Sequence, residues 1–100
     1  MRDDVEQPDS NIHQPLRLKI MAALKVLPPK DPGLDFTRLR ALTGATDGNL
    51  GAHLASLERA GYIEVVKDFH NRKPRTRARM SAQGRRAFGV YVEYLQELIS

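Results

Sequence analysis

Apolar positions recur along this 100-residue chain at two intervals, and the change of interval separates helices from strands. Leu16, Ile20, Ala23, Leu24 and Leu27 keep the spacing of one helix face. That helix opens at Pro15, a first helical position where the missing N–H needs no partner. Pro28-Pro29 stops it, and residues 30–33 read as a loop. Leu34-Asp35-Phe36 has room for a very short strand. A second helix is expected behind Thr37 as N-cap, with Leu39 and Leu42 turned inward. Gly44-Ala45-Thr46 breaks the chain, and a third helix follows over residues 47–60. Thr46 caps it, Asp47 sits at the positive end of its dipole, and Leu50, Leu54 and Leu57 line its inner side. Gly61 ends it as the residue able to take positive φ.

From residue 62 the interval falls to two. Residues 62–69 are β-branched and aromatic enough for a strand. After a turn over His70-Asn71-Arg72-Lys73-Pro74 the chain returns with Thr76, Ala78 and Met80 on one face and Arg75, Arg77 and Arg79 on the other. Ser81 caps a last helix over residues 81–99. Its stripe of Phe88, Tyr91, Val92, Leu95, Leu98 and Ile99, widened by Val90 and Tyr94, exceeds what one small core covers. A second copy of the chain is the expected cover, giving a homodimer. Residues 1–12 are polar and acidic without periodicity and read as a mobile arm. The expected domain is 13–100. Its fold class is mainly α with a small antiparallel hairpin, a helix-turn-helix followed by a wing.

Charge sharpens this picture. The net value of +4 hides an asymmetry: Lys67, Arg72, Lys73, Arg75, Arg77, Arg79, Arg85 and Arg86 are opposed within that stretch by Asp68 alone. Asp3, Asp4, Glu6 and Asp9 crowd the first residues, and Glu93 and Glu97 lie near the other end. A polyanion is the implied partner of the basic segment. The absence of cysteine excludes disulfides and thiolate chemistry. No run of residues is apolar enough for a membrane span, and a cytoplasmic protein is expected.

With Leu50, Leu54 and Leu57 inside, the third helix turns Gly48, Asn49, Ala52, Ser56 and Arg59 outward, with His53 on the flank. Asn49 can bond bidentately to adenine N6 and N7, and Ala52 can meet a thymine methyl. His53 and Ser56 suit a base edge or a phosphate, Gly48 permits close approach, and Thr46 at the helix start is expected to touch DNA with them. Because this helix is poor in cations, nonspecific affinity is expected from Arg72, Lys73, Arg75 and Arg77 in the wing. Gly33, Arg38 and Arg40 are weaker candidates for contacts to the DNA backbone.

His13-Gln14-Pro15-Leu16-Arg17-Leu18, Thr46-Asp47-Gly48-Asn49-Leu50 and residues 53–63 resemble the winged-helix transcriptional regulators of the MarR and ArsR groups. Lys73-Pro74-Arg75-Thr76 and Ser81-Ala82-Gln83-Gly84-Arg85 extend the resemblance, which runs roughly from Ile12 to Leu98. It implies a homodimeric transcription factor whose third helices enter successive major grooves while the wings follow the flanking backbone. Gly51 departs from the pattern, standing where such proteins often carry a serine near DNA.

Other classes find less support. His13, His53 and His70 are scattered, with no HExxH and no glycine-rich phosphate loop, so neither an enzyme nor a cofactor is implied. A metal sensor of this fold would use thiolates that are missing here. Structured RNA ranks last, because exposed aromatic pairs for stacking are lacking. The main alternative is a winged-helix docking module whose arginines meet an acidic protein surface.

Overall fold

A computed structural model describes Ile12 and residues 14–100. The element order is α1 (Pro15–Lys25), β1 (Leu34–Asp35), α2 (Phe36–Thr43), α3 (Asp47–Arg59), β2 (Ile63–His70), β3 (Lys73–Met80) and α4 (Ala82–Ile99). The three strands form one antiparallel sheet in the order β1-β3-β2. The expected arm lies outside the described residues except for Ile12, which is helical and wholly buried in the core.

Helix α1 buries Ile20, Met21 and Leu24, and it ends at Lys25, short of the two prolines. Residues before a proline avoid the α region, so the last turn closes early. The short strand forms as expected, but α2 starts two residues sooner than the Thr37 cap allowed. Asp35 is the N-cap, its Oδ1 accepting the Arg38 N–H at 2.7 Å. Leu42, expected inside, is 49% exposed. Its place inside is taken by Thr43, one turn beyond Leu39, whose hydroxyl donates to the Leu39 carbonyl at 2.8 Å.

Gly44 takes φ +72° and closes α2, its N–H donating to the Arg40 carbonyl at 2.9 Å. Two residues later Thr46 caps α3, its hydroxyl oxygen accepting the Asn49 N–H at 3.2 Å. Leu50, Leu54 and Leu57 are buried as the spacing predicts. Truncating a leucine held this way typically costs about 2–5 kcal/mol. At the far end Gly61 takes φ +83°, and the Gly61 and Tyr62 N–H groups donate to the Glu58 and Leu57 carbonyls. That reversal aims the chain directly into β2.

The hairpin is tighter than the sequence suggested. His70 pairs with Lys73, leaving Asn71 and Arg72 as a two-residue turn with φ of +52° and +65°. Positive φ at both central residues is the turn whose twist matches that of the flanking strands. Pro74 sits inside β3, opposite Phe69. It is tolerated because β1 covers β3 only at Arg77 and Ala78.

The core gathers leucines of α1, α2 and α3, the hairpin base (Tyr62, Ile63, Ala78, Met80), and Phe88 and Tyr91 of α4. Ser81 caps α4 by accepting the Gly84 N–H at 2.9 Å, while its own hydroxyl donates to the Gly61 carbonyl at 2.6 Å. Gly84 is buried because α4 crosses close over the backbone of Tyr62.

Candidate nucleic-acid interface

Helix α3 is anchored on one side by its three leucines, which fixes what the opposite side displays. Gly48, Asn49 and Ala52 are exposed, while His53 and Ser56 are half-buried at its flanks. Asn49 uses its backbone N–H for the cap and leaves its amide side chain outside. Thr46, expected to touch DNA, has its hydroxyl oxygen committed to that cap. Ser56 accepts a hydrogen bond from Arg59 Nη2 at 3.1 Å, so the two present a joined polar edge. His53 leans toward α1, where its Nδ1 accepts from Arg17 Nε at 2.9 Å.

Asp47 does not stand as a bare charge at the start of the helix. Arg40 Nη1 meets its Oδ1 at 2.7 Å, with both side chains largely in solvent. Such a pair adds little stability, but it cancels the repulsion a phosphate would meet there. Gly33, a weaker candidate for DNA, has a structural task instead. With φ +107° it packs against the Ala78 backbone, where a side chain would collide. Gly51 faces a hollow lined by Phe36, Leu54, Val65 and Thr76.

The wing does not leave its arginines free: Arg75, Arg77 and Arg79 each meet an acid of the neighbouring strand. Asp68 lies opposite Arg75 and Glu64 opposite Arg79 across the β2–β3 ladder. Two-residue alternation puts them on one outward face. Asp68 accepts from Arg75 Nε and Nη2, each at 3.1 Å, and from Arg77 Nη2 at 2.7 Å. Arg79 donates twice to Glu64 Oε2, at 3.2 and 2.8 Å. The hydrogen bond from Arg75 holds the Asp68 carboxyl below its ordinary value, against the opposing pull of partial burial, with charge attraction from Arg75 and Arg77 adding to it. The same bond raises Arg75. Arg77 Nε is buried without a hydrogen-bond partner among the described residues.

Arg85 is also committed: it donates to the Leu27 carbonyl at 2.7 Å, at the end of α1. Of the eight cations in the basic segment, Lys67, Arg72, Lys73 and Arg86 make neither an ion pair nor a side-chain hydrogen bond among the described residues. Arg72 and Lys73 are exposed at the wing tip. The acidic partners were visible in the sequence, since Glu64 and Asp68 keep the same two-residue interval as the arginines. Arg17 carried no such signal.

On α4 the expected contact surface divides. Phe88 and Tyr91 are 7% and 4% exposed and belong to the chain's own core, where α4 packs against α1. Val92 packs against that core in part, and beyond it Leu95, Leu98 and Ile99 are 38%, 47% and 85% exposed. Among the described residues no helix is long and apolar enough to cross a membrane.

Comparison with known proteins agrees with this geometry. The sequence model of the winged helix DNA-binding domain matches residues 16–99. An uncharacterized protein of Methanocaldococcus jannaschii is 32% identical over 83 residues, covering 83% of this chain and 86% of that protein. Among solved structures, a transcriptional regulator homologue from Pyrococcus horikoshii aligns with a TM-score of 0.69 at 27% identity, covering 88% of this chain and 87% of that one. Matched along nearly its whole described length, with a capped α3 beside a β-ribbon, the chain belongs to the winged helix DNA-binding domain family.

Proposed function

We propose that the chain binds duplex DNA in a sequence-specific manner as a homodimer and regulates transcription. The observation that carries this reading is the joint exposure of Gly48, Asn49 and Ala52 on α3 and of Arg72 and Lys73 at the wing tip. One surface is polar, small and nearly uncharged, as base reading requires, and the other is cationic, as phosphate contact requires. In this reading Asn49 reads a base, Ala52 and Gly48 allow the helix close to the groove, and His53 and Ser56 work at its margins. Arg72 and Lys73 hold the backbone, while Arg75 and Arg77 reach it only by exchanging Asp68 for phosphate.

The exposed Leu95, Leu98 and Ile99 support pairing of two copies through the outer half of α4. A two-fold dimer would set the recognition helices about 34 Å apart on a roughly palindromic site. The test is competition between a preferred duplex and a random one, for wild type and Asn49→Ala. The variant should lose about 1–3 kcal/mol on the preferred duplex and nothing on random DNA. Equal losses on both would refute the role of Asn49. Micromolar or weaker wild-type binding without preference would move the function to protein docking.

A further inference from the structure

We infer that Arg17 is a positioning residue that makes His53 a fixed hydrogen-bond donor on the recognition helix. This rests on the reading of α3 as the base-reading element. Arg17 lies on α1 and His53 on α3, 36 residues apart in the chain, and their bond of 2.9 Å joins Arg17 Nε to His53 Nδ1. A guanidinium has only donors, so Nδ1 must be the acceptor and carry no proton. The proton of the neutral ring therefore sits on Nε2, and which nitrogen is protonated is set by the bond the other makes. Nε2 makes no hydrogen bond to the described residues, and the ring lies next to exposed Ala52 and one turn beyond Asn49.

The consequence is chemical selectivity. An Nε2–H can donate to guanine O6 or N7, to adenine N7, to thymine O4 or to a phosphate oxygen, and it cannot accept from cytosine N4 or adenine N6. A ring free to exchange tautomers or flip would serve both kinds of edge and select neither. By anchoring the ring from the first helix, Arg17 narrows the base step under His53 to those presenting an acceptor. A residue outside the helix-turn-helix thus takes part in specificity without touching DNA.

The experiment has two arms on the full chain. In the DNA-free protein, ring nitrogen chemical shifts report the tautomer. Wild type should show an unprotonated Nδ1 and a protonated Nε2, and Arg17→Met should move both shifts toward a mixed population. In the second arm, sequences selected from a random duplex pool are compared for wild type, Arg17→Met and Arg17→Lys. Arg17→Met should lose roughly three- to tenfold of the preference at one base step per half-site, the scale of one hydrogen bond, with the other steps unchanged. Arg17→Lys, which still donates, should recover part of it. A wild-type ring protonated on Nδ1, or a preference untouched by Arg17→Met at every step, overturns the inference. A loss of preference at all steps together would mean that Arg17 supports the fold, which also overturns it. A wild-type protein that selects no sequence refutes the parent reading and this inference with it, an outcome told apart by an intact ring signature.

Discussion

Replacing Asp68 with asparagine should make the protein a tighter and more salt-sensitive DNA binder. Asp68→Asn keeps the size of the side chain and removes the charge that holds Arg75 at 3.1 Å and Arg77 at 2.7 Å. Lys67, Arg72 and Lys73 are the wing cations without an ion pair among the described residues, six in the proposed dimer. At about −0.9 in the slope of log K against log salt per neutralised phosphate, wild type should show roughly −5. Freeing Arg75 and Arg77 in both protomers adds four cations, so the variant should approach roughly −9. Over a fourfold rise in salt that difference widens the loss of affinity by about 150-fold. The assay is fluorescence anisotropy of a labelled duplex titrated at several salt concentrations, with Asp68→Asn/Arg75→Ala returning about 1.8 of the added slope in the dimer. An unchanged slope in Asp68→Asn would refute the idea that these arginines are withheld phosphate ligands. The same node links the wing to pH. A carboxylate depressed in the folded state contributes stability that is fully present above its unfolded value, 3.8, and is lost as pH falls through the folded value beneath it. Hydrogen exchange along the hairpin should therefore distinguish wild type from Asp68→Asn at neutral pH, and the distinction should fade only below pH 3.8.

Three further outcomes follow from the same structure. Arg72→Ala should weaken binding to specific and random duplexes alike and flatten the salt slope by about one unit per protomer, measured in the same titration. Leu98→Lys, at a position 47% exposed, should leave the thermal unfolding of the subunit nearly unchanged while dissociating the dimer in sedimentation; an unaltered mass would remove α4 from the contact. Gly84→Ala would drive a methyl into the Tyr62 carbonyl and should destabilise the fold by about 1–3 kcal/mol in denaturant unfolding.

Much of the fold was legible because burial imposes a period. The inner leucines of α3, the caps Thr46 and Ser81, and the positive φ of Gly61 follow from residue types at fixed spacing. The start of α2 was misread because Asp35 and Thr37 can both cap, and pairing of β1 with β3 decides for Asp35. Leu42 was placed inside because a hydroxyl at Thr43 looks polar until its bond to Leu39 satisfies it. On the wing, reading β3 for its arginines without reading β2 for its acids left out the cross-strand term. Both strands share one outward face, so their charges had to be counted together. The bond between Arg17 and His53 depends on how α1 packs on α3, and no local pattern encodes that.

Selection of bound sequences from a random duplex pool tests the central claim most directly, because it asks the protein to read bases without presuming which. The account predicts an enriched, roughly palindromic site whose half-sites lie about one helical turn apart, centre to centre. Asn49→Ala should blur one step in each half, and Arg72→Ala should leave the consensus intact at lower affinity. A pool that emerges without a consensus, from a protein that is folded and binds DNA through its wing, contradicts the claim that α3 reads the groove.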